Sequence, residues 1–87
     1  MDPMDADVRS VLSAHGRLPI DVDTLSADAD LYRAGLTSHA SVNVMLALED
    51  TFDVEFPDSM LRKSTFESIT AITAALTQLG AATPSRV

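Results

Sequence analysis

The sequence contains no cysteine and no tryptophan, and only three of its 87 residues are glycine. Without cysteine, the chain can form neither disulfides nor thiolate metal sites. Aromatic residues make up 5% of the chain, so a core has to be built mainly from aliphatic side chains. Because the hydrophobic content is 46%, the chain can form a modest core in one small domain. We therefore expect a single domain.

Basic residues are also scarce, with 6 Lys and Arg against 13 Asp and Glu, which gives a formal net charge of −7. A negative surface repels nucleic-acid phosphates and anionic lipids, so we expect neither nucleic acid nor a membrane as a partner. A partner protein with a basic patch is more compatible with this negative charge than nucleic acid or a membrane. Residues 1–7 lack the basic and apolar regions of a secretory signal, and no apolar run reaches spanning length. We therefore predict a cytoplasmic location.

Recognisable catalytic sets are missing as well. His15 and His39 fall in different predicted elements without metal-ligand spacing, and the chain has no glycine-rich phosphate loop. The Asp-rich segment 21–30 lacks the spacing of an EF-hand, which favours a solvated, helix-capping loop over a calcium site. The sequence predicts neither an independent enzyme nor a metal site.

Hydrophobic spacing predicts an all-α protein. Apolar residues recur at helical intervals over 4–15, where Gly16 is the predicted stop, and again over 38–53. A short helix or single turn fits 58–63. Residues 16–37 form a long first loop that apolar side chains anchor across the helices. These anchors are Leu18, Ile20, Val22, Leu25, Leu31, Tyr32 and Leu36. Together with a last helix, these elements predict an antiparallel four-helix bundle with three main helices and one short one.

The last helix is predicted to open with a capping box in which Ser64 is the N-cap and Glu67 reaches back. Its apolar stripe runs to Leu79, and Gly80 ends it. We expect a domain over 1–80 and a flexible tail over 81–87. The predicted core comprises Val8, Leu12, Val44, Met45, Leu48, Phe52, Phe56, Phe66, Ile69, Ile72 and Leu76.

Ser38 is the strongest candidate for a functional residue, because it follows the long loop and opens the second helix. Unpaired N–H groups at a helix N-terminus can stabilise a phosphodiester on that hydroxyl. The alternative is that Thr37 or Ser38 is an ordinary N-cap, and position alone favours this alternative.

Four segments carry a resemblance to a known family. They are Asp28-Ala29-Asp30-Leu31, Ala34-Gly35-Leu36-Thr37-Ser38, the run from Leu46 to Asp58, and Ser64-Thr65-Phe66-Glu67-Ser68-Ile69. Together they resemble the acyl and peptidyl carrier proteins. The resemblance implies that a phosphopantetheinyl transferase attaches phosphopantetheine from coenzyme A to Ser38, and that the thiol of this arm carries acyl groups as thioesters. The protein would then be a substrate of partner enzymes.

The attachment motif departs from the usual Asp-Ser-Leu of that family, because this chain has Thr37 and His39 beside Ser38. The residues that follow, Ala40 to Asn43, are neutral where typical members carry acids. This neutral start resembles the bacterial aminoacyl carrier proteins. That resemblance implies loading by an amino acid:carrier protein ligase related to class II seryl-tRNA synthetases, with a small amino acid such as glycine or alanine as cargo.

The surface that meets partners is predicted around Ser38, from Thr37, His39, Val42, Leu46 and Met60. Val42 and Leu46 lie off the core stripe, so they either form an exposed docking patch or pack under the long loop. We expect a monomer that docks weakly, as a shuttle requires. Two other functions stay open, an acyl carrier for fatty acid or polyketide synthesis and a non-covalent helical adaptor.

Overall fold

The computed structural model describes residues 3–81, and this part of the chain is helical without a strand. Four α-helices follow in order: α1 (Pro3–His15), α2 (Leu31–Ala34), α3 (Ser38–Phe52) and α4 (Ile69–Gln78). α1 packs against both α3 and α4. The predicted all-α bundle is therefore confirmed, with three long helices and one short one.

α1 buries one face at helical spacing, with Val8 and Leu12 fully inaccessible to solvent. It stops at Gly16, whose backbone N–H donates to the Leu12 carbonyl at 2.8 Å. Arg17 follows with φ of 53°, in the left-handed region that often ends a helix. The predicted stop at Gly16 is confirmed.

The long loop between α1 and α3 contains more structure than the sequence predicted. A 3₁₀ helix spans Val22–Thr24, and α2 forms one helical turn that is capped by the Asp30 carboxylate. Val22, Leu31 and Leu36 are buried, which confirms that apolar side chains anchor the loop. Ile20 is 46% exposed, so its predicted anchoring role is wrong.

Three sets of hydrogen bonds fasten this loop to the bundle. The Arg9 guanidinium donates to the Val22 and Leu25 carbonyls at 2.9 and 2.8 Å. The Thr70 hydroxyl, on α4, donates to an oxygen of the Asp28 carboxylate at 2.8 Å. The Leu31 N–H donates to the Glu67 carbonyl at 2.7 Å. The loop is thus part of the packed domain.

α3 buries Ala40, Val44, Leu48 and Phe52 along one face. The predicted range 38–53 is confirmed to within one residue. Met45 is half-buried and packs against the core from outside, so its assignment to the core proper was wrong.

Two 3₁₀ helices, Asp58–Met60 and Lys63–Phe66, connect α3 to α4. The first confirms the single turn predicted after Pro57. The capping box at Ser64 was wrong, because Ser64 lies inside the second 3₁₀ helix and the N-cap of α4 is Ser68. The Ser68 hydroxyl accepts the N–H of Ala71 at 3.0 Å. Both serines precede an apolar run, and the backbone of residues 63–66 decides which one caps.

α4 ends at Gln78, and the predicted stop Gly80 lies just beyond its C-cap Leu79. Gly80 has φ of 78°, and its N–H donates to the Thr77 carbonyl. The tail predicted over 81–87 lies outside the described residues from position 82 onward. Ten of the eleven predicted core residues are buried, Met45 being the exception. The core also includes Met4, Val11, Val22, Leu31, Leu36, Ala40 and Ala75.

Candidate functional site

Ser38 is the first residue of α3, but it is not the residue that caps the helix. Thr37 is the N-cap, and its hydroxyl accepts the backbone N–H of Ala40 at 3.0 Å. Ser38 is exposed, and its own hydroxyl makes no hydrogen bond to any residue within 3–81. The structure thereby separates two roles that position alone left open. Thr37 supplies the cap, and Ser38 keeps a free hydroxyl.

The segment before Ser38 is held in place by a tight turn at Gly35. Gly35 has φ of 123°, and a Cβ atom there would lie 2.6 Å from Cδ of Pro19. Only glycine fits both restrictions. Immediately afterwards Leu36 is buried, and its N–H donates to the Leu31 carbonyl at 2.9 Å. A fixed backbone therefore delivers Ser38 to the surface.

A cleft of about 430 Å³ opens beside Ser38, between α3 and the residues that precede α4. Val42, Met45, Leu61 and Phe66 give it an apolar wall. The complete lining is Tyr32, Ser38, Ser41, Val42, Met45, Leu61, Arg62, Lys63 and Phe66. A flexible group attached to Ser38 can lie along this cleft.

Polar groups are found at the edge of the cleft. The ammonium of Lys63 lies 4.8 Å from the centre of the Tyr32 ring, within the range of a cation–π contact. Burial raises the pKa of Tyr32, and the carboxylates of Asp30 and Glu67 raise it further, whereas a hydrogen bond with Ser41 acts in the opposite direction. The phenol is therefore neutral at ordinary pH.

The structure places the predicted partner-binding residues in two groups. Thr37, His39, Val42 and Leu46 are exposed on the first half of α3, and Val42 and Leu46 have exposed fractions of 51% and 53%. Of the two alternatives for Val42 and Leu46, the exposed patch is the one observed. Met60 is half-buried and does not line the cleft of Ser38; it borders a second groove against α4, and Arg62 lines both.

The sequence did not predict the far wall of the cleft. The residues of this wall are Tyr32, Leu61, Arg62 and Lys63. The near wall is the face of α3 that carries Ser38, Ser41, Val42 and Met45. Helical spacing places these residues on one face, so the sequence contains enough information to predict this wall. The far wall comes from two segments whose approach depends on the loop and the 3₁₀ helices. Nothing in their local sequence points to Ser38.

The acidic loop caps helices, as the sequence predicted. Asp21 and Asp30 accept backbone N–H groups at the start of the 3₁₀ helix and of α2. Across residues 3–81, no group of three His, Asp or Glu residues is arranged to hold a metal ion. Over the same residues, no helix is long and apolar enough to cross a membrane.

Comparison with known proteins identifies the family. A family model described as a phosphopantetheine attachment site matches residues 13–76. An aminoacyl carrier protein of Agrobacterium fabrum is 52% identical over 69 residues, which are 79% of this chain and 83% of the relative.

Solved structures agree with this comparison. A chain from the crystal structure of an engineered Bradyrhizobium japonicum glycine:[carrier protein] ligase, complexed with carrier protein from Agrobacterium tumefaciens and AMP, is 48% identical with a TM-score of 0.82. That match covers 84% of this chain and 97% of the other. A chain from the Bradyrhizobium japonicum ligase complexed with glycylated carrier protein is 27% identical with a TM-score of 0.73, covering 85% and 99%.

This chain belongs to the phosphopantetheine-binding carrier proteins. It carries that group covalently and is a substrate of partner enzymes, not a catalyst. The geometry around Ser38 fits such a group, because a free, exposed hydroxyl lies at the edge of a cleft able to accommodate a flexible chain. Within the family, the similarity is to aminoacyl carrier proteins.

Proposed function

We propose that this protein carries an aminoacyl group on a phosphopantetheine arm attached to Ser38. The observation that carries the proposal is the exposed hydroxyl of Ser38, which is free of hydrogen bonds within 3–81 because Thr37 caps the helix. The 52% identity to an aminoacyl carrier protein supports the choice of cargo. The arm supplies a thiol that holds the amino acid as a thioester.

The chemistry of attachment asks little of this chain. The Ser38 oxygen attacks the phosphorus atom of coenzyme A that is attached to pantetheine. The pyrophosphate bond of coenzyme A breaks, and adenosine 3′,5′-bisphosphate leaves. The hydroxyl proton has to go to a base, and no side chain among residues 3–81 is hydrogen-bonded to that hydroxyl. We therefore assign the base to a phosphopantetheinyl transferase.

The loading enzyme in this proposal is an amino acid:carrier protein ligase related to class II seryl-tRNA synthetases. Similarity to chains solved with a glycine:[carrier protein] ligase supports a partner of this kind. Glycine is the first cargo to test, because one such structure contains a glycylated carrier protein. The amino acid is first joined to AMP from ATP as an aminoacyl adenylate, which releases pyrophosphate, and attack by the thiol of the arm then forms the thioester and releases AMP.

The docking surface for these enzymes is proposed around Thr37, His39, Val42 and Leu46, with Met60 at its border. Support comes from the half-exposed side chains of Val42 and Leu46, which stand one turn apart beside Ser38. The first turn of α3 carries no acidic residue, so apolar contacts have to provide most of the affinity there. We propose that the carrier acts as a monomer in the cytoplasm.

Intact-mass measurement tests the attachment. The purified apo-protein is incubated with coenzyme A and a phosphopantetheinyl transferase, alongside Ser38→Ala and Ser41→Ala. We expect the wild type and Ser41→Ala to gain the mass of one phosphopantetheine group and Ser38→Ala to gain nothing. Ser41 is the matched control because it also lines the cleft. Equal gain in all three proteins would overturn the assignment of Ser38.

A second incubation tests the cargo. The holo-protein is mixed with an amino acid:carrier protein ligase, ATP and glycine, and the mass gain is checked for release by hydroxylamine, which cleaves thioesters. We expect glycine to be added and released. Loading by fatty acyl donors without any amino acid loading would instead favour the acyl carrier alternative. A protein that never accepts the arm would favour the non-covalent adaptor.

A further inference from the structure

Two of the few basic residues in this acidic chain lie at the cleft beside Ser38. The chain has six Lys and Arg residues, and Arg62 and Lys63 both line the cleft. Among the described residues, that lining includes no carboxylate. The ion pair formed within the same part of the chain joins Arg9 and Asp5, so neither cleft cation is neutralised by a partner. Two cations therefore stand at the cleft edge of a protein of net charge −7, and the nearby carboxylates of Asp30 and Glu67, which act on Tyr32, do not line the cleft.

Both cations are held in place by contacts that leave their charge free. The Nε of Arg62 donates to the Ser59 carbonyl at 2.9 Å, and its two Nη groups make no hydrogen bond within residues 3–81. The ammonium of Lys63 rests over the Tyr32 ring at 4.8 Å. These contacts leave the Nη groups of Arg62 and the ammonium N–H groups of Lys63 available to donate hydrogen bonds to an anion. The two side chains therefore offer unused N–H groups at the edge of the cleft.

The arm brings an anion to this place. Its phosphodiester is bonded directly to Ser38, so one negative charge is fixed beside a cleft that two cations border. Arg and Lys are the side chains that bind phosphate groups best. Because the phosphodiester is tethered, its effective concentration near these cations exceeds that of any free anion.

We propose that Arg62 and Lys63 bind the phosphodiester of the arm at the edge of the cleft and so direct the arm along it. This inference rests on the proposed attachment to Ser38. An acidic patch on a partner enzyme is the competing use of the same two cations. The tethered phosphodiester is favoured because it is present whether or not a partner is bound.

The test compares holo-proteins by ³¹P NMR and by amide NMR spectra against their apo forms. The variant R62Q/K63Q removes both cleft charges, and R17Q/R33Q removes two charges from exposed residues that do not line the cleft. Both variants change the formal charge equally, from −7 to −9 by subtraction of two. The pair R62K/K63R keeps both charges and serves as the rescue.

In the wild-type holo-protein we expect amide shifts at Arg62, Lys63 and Tyr32 relative to the apo form. In folded R62Q/K63Q, the phosphorus resonance should move toward the position that it has in urea-unfolded holo-protein. In R17Q/R33Q and R62K/K63R it should keep the wild-type position. Raising salt from about 0.1 M to about 1 M should remove more than about half of the wild-type difference, because the screening length falls from ~10 Å to ~3 Å.

The outcomes separate the two proposals. A phosphorus resonance that is the same in all four holo-proteins overturns the phosphate contact while leaving attachment at Ser38 intact. That same result, combined with weaker ligase binding by R62Q/K63Q alone, assigns the cations to a partner and also overturns the contact. Absence of any mass gain on the wild type overturns the attachment and the contact together.

Discussion

The carboxylate of Glu49 accepts the backbone N–H of Phe56 at 2.8 Å. This bond joins the last turn of α3 to the residues that leave it, across the left-handed Asp53. It holds Phe56 where its ring meets Phe66 edge to face, with centroids 5.4 Å apart. Since Phe66 also lines the cleft, Glu49 supports the far wall from a distance.

Replacing Glu49 with alanine should lower the free energy of unfolding by about 1.5 to 3 kcal/mol, the range for a hydrogen bond to a charged group. Glu49→Gln keeps an acceptor oxygen and should lose less. Urea denaturation followed by circular dichroism provides the measurement. The control is Asp50→Ala, at the exposed neighbouring position. Equal losses for Glu49→Ala and Asp50→Ala would contradict this role.

Gly35→Ala should destabilise the protein more than Gly80→Ala. Both glycines have positive φ, but a Cβ at Gly35 would meet Pro19 whereas Gly80 has nothing within 4 Å. We expect about 1 kcal/mol for Gly80→Ala and up to about 3 kcal/mol for Gly35→Ala. Thermal denaturation of both variants measures the difference. Adding Pro19→Ala to Gly35→Ala should recover part of the loss; no recovery would mean that Pro19 is not the obstacle.

Arg9→Lys should loosen the long loop, because one ammonium cannot reach Asp5, Val22 and Leu25 as the guanidinium does. We expect a loss of about 1 to 2 kcal/mol and faster hydrogen exchange of the Leu25 amide. Arg33→Lys, at an exposed position, should leave that exchange rate unchanged. Unaltered exchange in Arg9→Lys would show that the loop is held by its buried side chains alone.

Thr37→Ala should cost about 1 kcal/mol of stability through loss of the N-cap of α3, whereas Ser38→Ala should cost almost nothing. The difference follows from the Thr37 hydroxyl, which alone of the two accepts a backbone N–H. Paired urea titrations of the apo-proteins measure it. A larger loss for Ser38→Ala would mean that Ser38, and not Thr37, stabilises the helix.

Tyr32 should make the protein less stable in alkali. Burial raises the pKa of its phenol above the ordinary 10.0, so the unfolded chain releases this proton first as pH rises. The contribution is fully present below pH 10.0 and is lost as pH rises toward the folded-state value. Denaturation curves between neutral and alkaline pH should show this fall, with a smaller fall in Tyr32→Phe. Identical curves would exclude Tyr32 as the source.

The sequence predicted the helices well because each depends on local information. Apolar spacing identified α1, α3 and the end of α4, and Gly16 and Gly80 marked two helix ends. The resemblance of residues around Ser38 to carrier proteins then suggested the modification, which position alone did not.

The errors arose where tertiary contacts decide between equal local signals. Ser64 and Ser68 both precede apolar residues, and only the 3₁₀ turn between them makes Ser68 the cap. α2 is a single turn that depends on the Asp30 cap and on the burial of Leu31, so helical periodicity could not reveal it. The cationic edge of the cleft depends on the approach of residues 61–63 to Ser38, which no sequence spacing encodes.

The bonds that fasten the long loop to α4 also constrain the order of folding. Thr70 and Asp28 are 42 positions apart, and Leu31 pairs with Glu67 across a similar distance along the chain. Contacts so distant form only after a large loop has closed, which makes them slow and late. A growing chain that has not yet produced residues 67–70 lacks these ties. The surface that presents Ser38 is therefore complete only when the C-terminal part of the domain is in place.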